Sequence, residues 1–384
     1  MSLISGLQLS PAVRDMARSG IREIGDLAGS LPGTVKLHIG EPDADTAPHI
    51  VEAAAAAARS GHTHYAPNAG IPELRAGCAA KVERVNGITA NAEEVVITPG
   101  AVTAVYSALA ALLVPGDHVL LPDPGWPNYV MMVSMLGATQ SGYPVDATGG
   151  IDIDALERSI TSCTRVIVLN SPSNPTGARV PTPVLEQVYA VAERHNLWII
   201  ADDVYDQIVF DGDVVSVGGL EDRPLRVVSV FSFSKTYAMT GWRVGYVVAP
   251  VELAELIAKL QEPLVSCVNT PAQYAALAAL EGPQEAIVES VARYSARADL
   301  VVDLLHHGGV HVSRPAGGFY LWLPVGDRDG GEVAMSLVTG HGVAVAPGPT
   351  FGEHGRHAVR LSLSASEADV RTGVRRILES GLAS

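Results

Sequence analysis

Short apolar bursts alternate with longer amphipathic stretches through the middle of this chain, and that rhythm leaves few folds open. Parallel strands need helical crossovers, and the crossovers cover both faces of one sheet, so the strands between them can be apolar on both sides. The pattern predicts strands over 118–121, 165–169, 197–201, 227–231 and 244–248, with helices over 101–113, 183–195, 251–261 and 270–280. The six alanines from Ala53 to Ala58 read as a packed helix, since alanine has the highest helix propensity. A long amphipathic helix over 284–307 then carries the chain into a smaller α/β unit. That unit has expected strands over 318–323, 343–346 and 357–363, a helix over 332–339 and a last helix from Glu367.

Composition narrows the function classes. The chain has 384 residues, of which 47% are hydrophobic and 17% charged, so most of it must fold around a core. A net charge of -15 with no basic block excludes nucleic acid as an expected partner. No apolar run reaches the length of a membrane span, and Met1-Ser-Leu-Ile-Ser is not a signal-peptide pattern. The expectation is a soluble cytoplasmic protein without a membrane partner. Cys78, Cys163 and Cys267 are odd in number and far apart, which predicts reduced thiols in the core. The histidines show no metal-ligand spacing, and no metal is expected.

The segment Ser232-Phe-Ser234-Lys235-Thr-Tyr-Ala-Met-Thr-Gly-Trp-Arg243 sets one lysine among hydroxyls and an arginine. A lysine that acts as a nucleophile needs partial burial and a nearby cation to keep its amine neutral. A phosphate needs hydroxyl donors and a guanidinium fork. Elsewhere, Asp202 and Tyr205 follow an apolar strand, at the edge where open α/β sheets bind ligands. Read alone, that segment is better taken as an acidic turn. Asn170-Ser-Pro-Ser-Asn174-Pro-Thr-Gly177 follows another strand, with Pro172 and Pro175 fixing the backbone around Asn174; alone it reads as a Pro/Asn turn. Thr98-Pro-Gly100-Ala101-Val102 opens a helix, where free N–H groups attract anions. Trp126 is a core residue or a stacking platform. Arg360, alone in an apolar strand, needs an anionic partner, either a structural carboxylate or a bound one.

Together these ordered segments resemble the class I and II aminotransferases, the fold-type I enzymes that use pyridoxal 5'-phosphate (PLP). The matches run from Gly40 to Arg360. The resemblance implies an α/β, PLP-dependent transferase of fold type I, whose large domain has a seven-stranded mixed, mostly parallel sheet flanked by helices, beside a smaller α/β domain. Residues 1–45 would belong to the small domain, 46–283 would form the large PLP-binding domain, and 284–384 the small C-terminal domain.

By the same resemblance Lys235 carries PLP covalently and is the catalytic acid-base. Asp202 partners the ring nitrogen, and Tyr205 and Asn174 the ring oxygen. Ser232, Arg243 and the Gly100-Ala101-Val102 turn hold the phosphate, and Trp126 stacks on the ring. Tyr65 reaches the phosphate of a second subunit, which implies a homodimer. Arg360, Asn174 and Gly40 face the substrate carboxylate. Asp203 stands where the family usually has Glu, and Ala101 where it often has Ser.

The implied activity moves an amino group from an L-amino acid to a 2-oxo acid by ping-pong exchange. A neutral or hydrophobic donor is favoured, because the chain has no arginine between Arg243 and Arg293 and Ala101-Val102 rather than a lysine directly after Gly100. The alternatives left open are a β-lyase or γ-elimination enzyme of the same fold, and an aspartate-type enzyme in which Arg14, Arg18 or Arg22 supplies the missing cation. A non-enzymatic, aminotransferase-like regulatory module is a further alternative.

Overall fold

The computed structural model describes residues 10–14, 16, 18–220 and 226–383. Its strands run, in chain order, β1 (Val35–Lys36), β2 (Val95–Thr98), β3 (His118–Asp123), β4 (Thr139–Pro144), β5 (Thr164–Asn170), β6 (Trp198–Asp202), β7 (Val227–Ser232), β8 (Gly245–Val248), β9 (Tyr320–Pro324), β10 (Val343–Ala344), β11 (Ala346–Pro347) and β12 (Ala358–Ser362). The main sheet is seven-stranded, in the order β2-β8-β7-β6-β5-β3-β4. Neighbours from β4 to β7 pair in parallel, while β8 runs antiparallel to both β7 and β2.

The central strands alternate between two apolar layers. Val166, Val168 and Ile200 pack on one face against Ala104, Val105, Ala108 and Leu109 of the helix Ala101–Leu112. Ile167, Leu169, Ile199 and Ala201 pack on the other against Leu185, Val188, Val191 and Ala192 of the helix Thr182–Arg194. Each buried aliphatic side chain contributes about 1.5–3 kcal/mol, which explains why these strands read as unbroken apolar runs.

The N-terminal segment packs with the C-terminal unit. Val35 pairs with Val343, and Ile24, Ala28, Val35 and Leu37 share one core with Val301, Leu305, Leu321, Leu323 and Val374. The helix expected over 284–307 is present as Glu285–His307.

Two expectations need correction, and one strand was not predicted. The strand expected over 343–346 is split: Val343 and Ala344 pair with β1, whereas Ala346 and Pro347 pair with β12, because the chain crosses between two sheets at the buried Val345. β4 went unread, since an edge strand of sequence TQSGYP, with Tyr143 its only buried residue, has no apolar alternation to advertise it. Of the three N-terminal arginines, Arg14 ends the helix Pro11–Arg14, Arg22 lies in Gly20–Ser30, and Arg18 falls between them. Of the cysteines only Cys78 is a core residue; Cys163 is exposed in the turn before β5 and Cys267 is half-buried. Among the described residues no helix is long and apolar enough to cross a membrane.

Candidate active site

β3, β5, β6 and β7 end at one edge of the sheet, and their last residues are Asp123, Asn170, Asp202 and Ser232. That edge is where a parallel sheet presents loops and helix N-termini to a ligand. From β7 the chain enters a short helix, Phe233–Thr236, whose cap is the Ser232 hydroxyl, accepting from the Ser234 amide at 3.1 Å. This turn carries Lys235 inward. Its Nζ donates to the Gly40 carbonyl at 2.6 Å. Burial holds the Lys235 amine below the usual lysine range; Arg360 and Arg243 push the same way, while Tyr320 and Glu41 oppose.

Asp202 faces Lys235 from the end of β6 and is buried. Its Oδ2 accepts from the Tyr129 hydroxyl, and its Oδ1 has no partner. Burial pushes the carboxyl up to about 6, against the Tyr129 hydrogen bond, the Val204 amide and Lys235. Asn170 ties this strand end to the next loop: its Nδ2 donates to the Asp202 carbonyl at 2.8 Å and its Oδ1 accepts from the Asn174 amide at 2.7 Å.

Asn174 Oδ1 in turn accepts from Arg360 Nη1 at 2.7 Å, and Arg360 Nη2 donates to the His38 carbonyl at 2.6 Å. Arg360 is 2% exposed, its Nε has no partner, and among the described residues no carboxylate pairs with it. Burial first, then Arg360 and Lys36, hold the neighbouring His38 imidazole down to about 4.

The anion corner lies across the cavity. Gly100, at φ 82°, caps the helix Ala101–Leu112, whose first amides have no helical partner. A Cβ at Gly100 would lie 2.4 Å from Arg243 Nη2, so glycine is what lets the guanidinium close on the helix start. Arg243 Nη1 is fixed by the Thr240 carbonyl at 2.7 Å. Trp126, half-buried, meets Tyr129 edge-on at 5.3 Å and packs on the same apolar cluster as Ala101.

A cavity of about 720 Å³ gathers every expected site residue except Gly100 and Tyr65. Gly100 lies behind Arg243, and Tyr65 is 88% exposed outside the cavity. The sequence reading missed Tyr129, Asn170 and Tyr320. Tyr129 sits three residues after Trp126, in the first turn of the helix Asn128–Met135, so its closeness in sequence to a candidate was legible in principle. Nothing local marks Tyr320.

The class I and II aminotransferase profile matches residues 32–377. The chain belongs to the class I and II aminotransferases. It is 36% identical to an aspartate aminotransferase of Pyrococcus abyssi over 91% of this chain and 92% of that one. It is 35% identical to aromatic-amino-acid aminotransferase 2 of Thermococcus litoralis over 94% and 95%. The solved structure of the Thermus thermophilus aspartate aminotransferase with maleate superposes with a TM-score of 0.92 at 34% identity, covering 97% of this chain and 99% of that one.

The aminotransferase is therefore a PLP-dependent transaminase of fold type I, and its substrates are amino acids and 2-oxo acids. The residues present fit that cofactor: the buried Asp202 Oδ1 and Arg360 Nε each lack a protein partner, and the helix-start amides face Arg243. When bound, PLP supplies an electron sink for charge developing at the substrate's α-carbon.

Proposed function

We propose that Lys235 anchors the cofactor covalently and that its Nζ is the base removing the donor's α-proton. Burial lowers the pKa of that amine, which favours the neutral form both tasks need. Asp202 holds the ring nitrogen, Tyr205 and Asn174 the ring oxygen, and Trp126 the ring face. Ser232, Arg243 and the amides of Gly100, Ala101 and Val102 hold the phosphate. Arg360, Asn174 and the Gly40 backbone orient the substrate carboxylate.

The observation that carries this reading is Arg360, a fully buried guanidinium with no carboxylate partner among the described residues, set in the same cavity as Lys235. An uncompensated buried charge is costly, so an anionic ligand is its natural complement. Transfer proceeds in two half-reactions, the first product leaving before the second substrate binds. An amino acid added alone should release one equivalent of 2-oxo acid per site. Continuous release of ammonia instead would indicate elimination.

The favoured donor on this reading is neutral or hydrophobic, supported by the apolar cavity wall of Ile21, Ile39, Val102 and Trp126. The Thermococcus relative's name agrees with it. One observation favours a second reading: Arg22 and Lys36, both exposed, line the same cavity and could hold a distal carboxylate, as the name of the Pyrococcus relative suggests. Arg18 is less suited, being paired with Asp26 at 3.5 Å. Half-reaction rates with leucine, phenylalanine and aspartate separate the two, and loss of aspartate turnover in Arg22→Ala would establish the second.

A homodimer in which Tyr65 reaches the partner's cofactor phosphate belongs to the same proposal, supported by that tyrosine's exposure. So does the domain division at residues 45 and 283, which the shared core of the N- and C-terminal segments supports. A cytoplasmic setting completes it, supported by three free thiols.

A further inference from the structure

We propose that Tyr320 is a positioning residue, a single side chain that couples the carboxylate grip of Arg360 to the phenol of Tyr205. The inference rests on the roles proposed above for those two residues. Tyr320 opens β9 and is 2% exposed. Its ring lies against the Arg360 guanidinium at 4.1 Å, a distance at which the aromatic face attracts the cation. Its hydroxyl accepts from the Tyr205 hydroxyl at 3.1 Å. The same oxygen fills the space beside Gly40, where an added Cβ would come within 1.7 Å of it. The Gly40 carbonyl is the acceptor for Lys235 Nζ. Gly40 is thus bare because Tyr320 needs its volume, and one tyrosine touches the arginine, the phenol and the lysine's seat.

The backbone keeps Tyr320 from drifting. The amides of Ala316 and Gly317 donate to the Gly177 carbonyl at 2.8 and 3.0 Å, and a Cβ on Gly177 would meet the Tyr320 carbonyl at 2.5 Å. Gly177 ends the loop that carries Asn174. The start of β9 is therefore bound to the other arm of the carboxylate grip.

The Tyr205 hydroxyl has one proton, which it gives to Tyr320 here. If Tyr205 instead donates to a cofactor ring oxygen, Tyr320 must turn its own proton toward Tyr205, and that donation makes Tyr205 the stronger donor. Charge drawn from the ring oxygen lowers the pH at which the lysine-bound cofactor titrates.

The test is the pH titration of the holoenzyme's visible absorption band. In Tyr320→Phe the midpoint should rise by about half a unit, the size expected for one lost hydrogen bond. The ring remains under Arg360, so donor KM should stay within about twofold, whereas Tyr320→Leu should raise it for every donor by roughly fivefold. In a Tyr205→Phe background, Tyr320→Phe should add no further shift, because the two hydroxyls act in series. An unmoved midpoint in Tyr320→Phe overturns the proposal, and so does an additive shift in the double variant. A wild-type protein that shows no visible band with PLP, or carries it on another lysine, would remove the underlying assignment instead.

Discussion

Arg360 shows how strongly one side chain can bind a function to a place. Its two terminal nitrogens are held by Asn174 and the His38 carbonyl, and aromatic rings of Tyr320 and Phe351 lie at 4.1 and 5.1 Å, so its orientation is set before substrate arrives. Arg360→Ala should raise KM for every amino acid donor by roughly a hundredfold, the equivalent of about 3 kcal/mol for a charge-assisted pair. Arg360→Lys should recover little, because an ammonium cannot form the fork. A rise confined to one side-chain class in steady-state kinetics would place Arg360 elsewhere. Beneath the site, burial first and Asp206 second push the Asp203 carboxyl up to about 8. The native state then holds a proton that the unfolded chain loses near pH 4, so Asp203 lowers stability as pH rises from about 4 to 8. Asp203→Asn should remove that slope and stabilise the apo-protein at pH 8 relative to pH 5 by up to about 4 kcal/mol. Urea denaturation at both pH values measures it; equal slopes in variant and wild type would contradict it.

At the scale of elements, the anion corner depends on a glycine that holds a helix start and an arginine together. Gly100→Ala puts a Cβ at positive φ and into Arg243, so it should weaken PLP binding by roughly ten- to a hundredfold while leaving the far wall intact. Equilibrium titration of the apo-protein with PLP reads this directly, and an unchanged affinity would mean that the phosphate sits elsewhere. A second device is the buried ion pair between Lys81, on the helix Pro72–Asn86, and Asp206, in the turn after β6. Asn86 also donates to Asp206 at 3.1 Å and to Ser216 at 3.1 Å, so the turn carrying Tyr205 is braced from below. Lys81→Ala leaves the buried Asp206 carboxylate without its cation and should cost about 3–5 kcal/mol in urea denaturation.

For the whole molecule, the expected oligomer has a direct readout. Sedimentation should give a homodimer, and Tyr65→Phe should weaken PLP affinity several-fold without dissociating it, by about the 1 kcal/mol of one exposed hydrogen bond. A monomer with full PLP affinity would show that Tyr65 has no partner phosphate to reach. The N-terminal segment closes over the cavity from the same core as the C-terminal unit, so the site is walled by both ends of the chain.

Periodicity predicted the strands and crossover helices of a mostly parallel sheet, and the motifs' resemblance to the family marked Lys235, Asp202, Asn174, Arg243 and Arg360, which the fold gathers in one cavity. These are legible because strand pattern, turn chemistry and catalytic need are all written in neighbouring residues. Tertiary structure decided what distance in sequence hides: that Tyr129 supports Asp202, that Asn170 links β6 to the Asn174 loop, and that Tyr320 fills the space left by Gly40. It also decided that the strand expected over 343–346 breaks between two sheets and that only Arg22 of the three N-terminal arginines lines the cavity beside Arg360. Such pairings form only after remote segments pack, since a contact across 280 residues, as between Gly40 and Tyr320, leaves no periodicity in either segment.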